Sequence, residues 1–157
     1  MKQFVRRGVA LLAGAVSLPV CTLPRMPQVA AAGYRQDHRL ELLRKFFGEI
    51  HCPALHYAPA FLEAADLNSL DWRLLPSISF VESTGGKAAP NNNFFGWDSG
   101  RAKFSSPVAA IEAVAYRLAH TGRYLHKSLD QKLAIYNSSE GYGRKVKSIM
   151  RRIAPSE

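Results

Sequence analysis

The stretch "LLPSISFVES", Leu74 to Ser83, constrains this chain more than any other. Leu74, Leu75, Ile78, Phe80 and Val81 leave it no broad polar face, so the rest of the chain must surround it. Pro76 is tolerated in a helix only near its start, which predicts regular helix from about Leu75 to Ser83. A buried strand competes for so short an apolar run, because periodicity does not separate the two. Gly85-Gly86 stops the segment. It carries one acid, Glu82, at its end, and a loop from Lys87 to Ser105 follows, with Pro90, three consecutive Asn and Gly96.

The flanking chain reads as helices joined by short loops. "DHRLELLRKFFGEI" has Asp37 in the N-cap position and Leu40, Leu43, Phe46, Phe47 and Ile50 at helical spacing. Two prolines break the chain in "CPALHYAPA", and a second helix is predicted from near Pro59. "SSPVAAIEAVAYRLAHTG" has Ser106 as N-cap, Pro107 at the first position and Gly122 just past the end. Its core stripe is Val108, Ile111, Val114, Ala115 and Leu118. "SLDQKLAIYN" is a further short helix. The last, "EGYGRKVKSIMRRI", sets Tyr142, Val146, Ile149 and Ile153 on one face. A chain of 157 residues with 47% hydrophobic composition suits one compact domain, mainly α.

The N-terminus reads as an export signal. Lys2, Arg6 and Arg7 precede an apolar run from Gly8 to Val20, and "QVAAAG" offers small residues for cleavage near Ala32. Residues 1–32 are thus expected to be a signal peptide and 33–157 the mature domain. A retained anchor competes, but the run is short of the ~20 residues a spanning helix needs, so no permanent membrane span is expected. Lipidation at Cys21 ranks lower because Pro19 and Val20 precede it. Cleavage removes four cations and lowers the formal charge from +9 to +5. Only Cys52 then remains, so the fold must stand on its core without an internal disulfide. The histidines are scattered, and neither C-x-x-C nor H-E-x-x-H occurs; the reading calls for no metal or organic cofactor.

Glu82 is the residue that suggests chemistry. A carboxylate at the end of an apolar helix loses hydration, which favours its neutral form and suits it to deliver a proton. The plainer account is an exposed acid at a helix end, or one paired with Lys87. Beyond it, Asn92, Asn93, Phe94, Phe95 and Trp97 combine amides with flat apolar faces, as sugar recognition requires. Taken singly, Asn also serves turns and aromatics also cap cores.

Glu82-Ser83, Gly85-Gly86 and Asn92-Asn93-Phe94-Phe95-Gly96-Trp97, in this order, resemble the active-site segment of the lysozyme-like superfamily, in its bacterial glucosaminidase and lytic transglycosylase branches. The likeness continues through Phe104, Ser106, Ile111, Leu118, Tyr124, the Tyr136-Asn137 pair and Tyr142, over roughly residues 72–153. It implies a mainly α (α+β lysozyme-like) fold with a substrate cleft between two lobes. It also implies cleavage of β-1,4 bonds between N-acetylated amino sugars of peptidoglycan. Glu82 is then the catalytic general acid. Ser83, Asn92, Asn93, Phe95, Trp97, Tyr136 and Asn137 are the candidate substrate-binding residues: Asn92 or Asn93 holds the sugar or shapes the loop, Trp97 stacks on a ring or walls the cleft, Tyr136 lies by the reacting sugar, and Asn137 helps fix it.

A two-carboxylate hydrolase needs a second acid, for which Asp98 is the loop candidate and Glu112 and Glu140 are the others. With one carboxylate, the substrate's N-acetyl group can assist, and Glu82 can activate water or the sugar's own 6-hydroxyl. The Gly-Leu-Met-Gln-type element usual in transglycosylases is absent, which leaves the two branches open. A non-catalytic wall-binding module on the same fold is the competing function. The basic residues of the last helix, Arg144 to Arg152, read as its solvated side, so no nucleic acid is expected as partner.

Overall fold

Asp37 opens the first helix as its position suggests. Its backbone is extended (φ −80°, ψ 117°), and its carboxylate accepts the Arg39 N–H at 2.8 Å, satisfying a donor the helix leaves unpaired. In the computed structural model, which describes residues 33–155, α1 (His38–Glu49) follows and buries Leu40, Leu43, Phe46 and Phe47. The prolines of "CPALHYAPA" make a 3-10 turn (Pro53–Tyr57) that leads directly into α2 (Ala58–Leu67), with Pro59 in its first turn. Next come α3 (Leu74–Ser83), a short 3-10 turn (Pro90–Asn92), α4 (Pro107–His120), α5 (Leu129–Tyr136) and α6 (Tyr142–Ile153). The domain is compact and mainly helical, with no strand among the described residues. The expected export signal, residues 1–32, lies outside them.

The apolar segment is a helix, not a strand. Pro76 sits in its first turn, where the missing N–H has no intrahelical partner to lose. Seven of its ten residues are buried, because α6 covers one side and α2 another. Phe80 at its edge meets Phe46 of α1 edge-on at 5.5 Å. The hydroxyls of Ser77 and Ser79 are buried without a hydrogen-bond partner, each a cost of about 1–3 kcal/mol that the surrounding burial must exceed. α2 lies against α4, and its Phe61 packs between Phe47 of α1 and Phe95 of the loop, at 5.5 and 6.3 Å.

Where α3 ends, the structure refines the Gly-Gly expectation. The cap itself is Thr84, in the left-handed region (φ 53°), and Gly85 and Gly86 continue it at φ 65° and 91°. Thr84 and Gly85 donate to the carbonyls of Phe80 and Ser79, so the final turn is closed by backbone bonds. Glycine is needed at 85 for a second reason: a Cβ there would stand 2.5 Å from Cys52 Sγ. Cys52 is a free, buried thiol whose Sγ donates weakly to the Phe47 carbonyl at 3.7 Å; burial pushes its pKa up.

α4 starts as the sequence requires, with the Ser106 hydroxyl accepting from the Ala109 N–H. Ser128 and Gln131 form a reciprocal capping box at the start of α5. A polar clamp joins the start of α1 to α2: Arg39 spans Asp37 and Asp66, and the Tyr34 hydroxyl also donates to Asp66. The guanidinium holds both carboxyls below their ordinary range.

The crowding at Gly85 yields a paired expectation. Gly85→Ala should lower unfolding free energy by about 2–3 kcal/mol, through left-handed strain together with the clash on Cys52. Gly100→Ala, also at positive φ (82°) but facing open space, should lose only about 1 kcal/mol. Urea denaturation of the two variants measures the difference; equal losses would show that the Cys52 contact relaxes freely.

Candidate active site

Helix α3 carries its carboxylate to the edge of the core on its last turn. Glu82 is half-buried and lines a pocket of about 470 Å³ with Gly96, Ser99, Arg123, Ile135, Tyr136 and Asn137. A second pocket of about 410 Å³ shares Gly96, Ser99, Arg123, Ile135 and Tyr136, and adds Trp97, Asp98 and Tyr124. Each volume falls within the range of about 300–1,000 Å³ typical of small-ligand sites. The walls come from three places: the loop at 96–99, the turn after α4, and the C-terminal end of α5.

Gly96 determines how closely the loop approaches the acid. It lies at φ 59°, and a Cβ on it would stand 2.5 Å from Glu82 Oε2. Two residues hold the loop there. Ser83, next to Glu82 in sequence, is buried; its single hydroxyl proton goes to the Phe94 carbonyl at 2.8 Å, with the Ser79 carbonyl a longer alternative acceptor at 3.1 Å, and its oxygen accepts the Gly86 N–H at 3.0 Å. Asn93, also buried, accepts the Trp97 N–H and donates to the Trp97 carbonyl, both at 2.9 Å. Asn92 donates to the Phe104 carbonyl at 2.9 Å. Ser83 and Asn93 therefore spend their polar atoms on shaping the loop, and Asn92 spends its amide nitrogen there. Phe95 is fully buried against Phe61, so its ring lies in the core and only its carbonyl bears on the site.

Aromatic rings back the pockets. The Tyr136 hydroxyl donates to the Phe95 carbonyl, and its ring lies parallel to Tyr142 (6.0 Å, 7°) and edge-on to Trp97 (5.5 Å, 73°). Trp97 in turn meets Tyr124 at 6.4 Å and carries the Arg117 guanidinium 5.1 Å from its ring centre. Burial, then the Glu82 charge, then Tyr124 push the Tyr136 phenol well above the ordinary tyrosine range. Burial and then Glu82 do the same to Tyr142. The Tyr142 hydroxyl is buried and faces Glu82 without meeting hydrogen-bond geometry to it or to any other protein group.

Of the remaining sequence candidates, Asn137 lies in the Glu82 pocket, where its Oδ1 accepts the Ser139 N–H at 2.9 Å. Asp98 lines the neighbouring pocket but is exposed and paired with Arg101 at 2.8 Å. Glu112 and Glu140 are exposed and line neither pocket; Glu112 faces Glu63 of α2, and burial followed by that like charge raises its pKa. Glu82 is thus the one carboxylate in its own pocket. Sequence reading assigned no role to Tyr142, Arg123 or Ser99. The periodicity of α6 placed Tyr142 on a core face, which conceals a polar end pointing to the site; nothing in "HTGRYLH" distinguishes Arg123 from a solvated cation.

The chain matches no protein-family model, no curated protein and no solved structure. One carboxylate, two phenols beside it, and an apolar wall next to a polar rim suit proton transfer to and from a bound polar ligand.

Two measurements follow. In Gly96→Ala the added methyl would meet the mobile end of Glu82, so stability should fall by only about 1 kcal/mol while the carboxylate swings away. A crystal structure of the variant with Glu82 unmoved would contradict this. Tyr136 and Tyr142 should stay protonated until the fold opens in alkali. Because their folded pKa values are raised, they contribute stability below the unfolded pKa of about 10 that is lost as pH rises further. Tyr142→Phe should accordingly flatten the decline in stability above about pH 10, read by chemical denaturation at each pH.

Proposed function

We propose that this chain is an exported glycosidase of lysozyme-like type that cuts β-1,4 bonds between N-acetylated amino sugars of peptidoglycan. The observation that carries the reading is Glu82 set in a ligand-sized pocket as its one carboxylate, against the paired phenols of Tyr136 and Tyr142 and the close-packed Gly96. The ES, NN-x-FG-W and YN elements converge on it: Ser83 and Asn93 brace the loop, Trp97 walls the adjoining pocket, and Tyr136 and Asn137 stand opposite. In this reading the two adjoining pockets are the substrate cleft.

In the mechanism, Glu82 in its protonated form gives its proton to the bridging glycosidic oxygen as the bond from that oxygen to the anomeric carbon breaks. Positive charge grows on the sugar ring. The carbonyl oxygen of the substrate's own N-acetyl group attacks the anomeric carbon and takes up that charge. Asp98, exposed and held by Arg101, is left without a role as nucleophile. The Glu82 carboxylate then takes a proton from water or from the sugar's 6-hydroxyl as that oxygen bonds to the anomeric carbon and displaces the N-acetyl oxygen, giving a reducing end or a 1,6-anhydro end respectively. The Tyr142 hydroxyl, facing Glu82, stabilises the carboxylate once its proton has left.

Incubation of purified peptidoglycan with the chain from Gly33 onward, and mass spectrometry of the soluble fragments, tests this. Glu82→Gln should lose about 10²–10⁴ in rate, Tyr142→Phe about 10-fold, and Asp98→Asn little. Anhydro ends identify transglycosylase chemistry and hydrated reducing ends a hydrolase. Wall binding by both wild type and Glu82→Gln with no fragment released would instead support a binding module.

A further inference from the structure

The seam between the two pockets holds a cation that neither the fold nor the proposed chemistry uses. Arg123 lines both pockets, on the turn that follows α4. It is exposed and, among the described residues, forms no ion pair; its one hydrogen bond to them runs from Nη2 to the Ile135 carbonyl at 3.4 Å, near the limit for such a bond. The other arginines near the site are committed. Arg117 lies over Trp97, and Arg101 holds Asp98. Asp98 therefore does not neutralise Arg123, although both line the same pocket.

We propose that Arg123 forms a carboxylate subsite, so that the preferred ligand is a glycan bearing acidic groups and not a neutral one. This rests on the glycosidase reading of Glu82 for the identity of the glycan, but the binding argument stands on Arg123 itself. A guanidinium offers a planar fork that matches a carboxylate with two parallel hydrogen bonds. At the seam it has most of its donors to spare. Its place is also selective: a ligand spanning both pockets passes it, whereas one filling only the outer pocket past Trp97 need not engage Glu82. Repulsion between a ligand carboxylate and Glu82 is offset by the same cation, which lies in the Glu82 pocket.

On a peptidoglycan strand the carboxylate has two sources, the acidic stem peptide or the lactyl group that peptide removal exposes. The test uses three glycans: strands with stem peptides, the same strands stripped of peptide, and a neutral N-acetylglucosamine oligomer. Wild type, Arg123→Ala and Arg123→Lys are compared for binding by calorimetry, in the wild-type and Glu82→Gln backgrounds, and for cleavage. Arg123→Ala should weaken binding of an acidic glycan about 10-fold or more and leave the neutral oligomer within about 2-fold. Arg123→Lys should fall between, since it keeps the charge and loses the fork. Loss confined to peptide-bearing strands assigns the stem as source; loss on stripped strands as well assigns the lactyl group. Equal losses on acidic and neutral glycans, or none on acidic ones, overturn the proposal. Arg123-dependent binding without cleavage by any variant would retain the subsite and remove the glycosidase. Cleavage of all three glycans, unaffected at Arg123, would do the reverse.

Discussion

The site depends on one hydroxyl. Ser83 closes the last turn of the central helix, accepts from Gly86 and donates to Phe94, and so fastens the loop to the helix end beside Glu82. A buried hydroxyl that both donates and accepts is worth more than one exposed to water, since each bond offsets a cost of desolvation. Everything downstream follows from that anchorage. Phe94 and Phe95 are drawn into the core, Asn93 folds the chain back on Trp97, and Gly96 arrives against the carboxylate. The end of the helix and the loop that meets it are placed by the same few atoms, so neither backbone can shift without the other.

Much of the scaffold was legible beforehand. Caps and prolines marked the starts of α1, α2 and α4 because they act locally: Asp37, Pro59 and Ser106 do what their chemistry dictates whatever surrounds them. The central apolar segment was ambiguous between helix and strand, and tertiary burial by α6 and α2 is what realises the helix. The cap at Thr84 was not readable, since a β-branched residue at positive φ runs against its local preference and is held by the bonds around it.

The site was legible in its polar skeleton and not in its division of labour. Glu82, Trp97, Tyr136 and Asn137 come together around adjoining pockets. Residue type alone could not tell an amide that grips a ligand from one that grips its own backbone. Asn93 grips its own backbone with both ends of its amide, Asn92 with its nitrogen, and Phe95 serves the core. Arg123 and Tyr142 gain meaning only from distant neighbours, which no short window of sequence contains. The proposed glycosidase chemistry thus relies on a single acid served by groups recruited from α5, α6 and two loops.

The thiol beneath Gly85 bears on how such a chain survives its journey. If residues 1–32 direct export as proposed, the mature chain reaches a compartment where an odd cysteine invites coupling to other thiols. Folded, Cys52 is buried, and burial raises its thiol pKa, which disfavours the thiolate an oxidant would need. Unfolded, it is reactive. Closure of the helix cap over Cys52 therefore sets a race between folding and mixed-disulfide formation, and slow folders would be sorted by their own sulfur into covalent by-products.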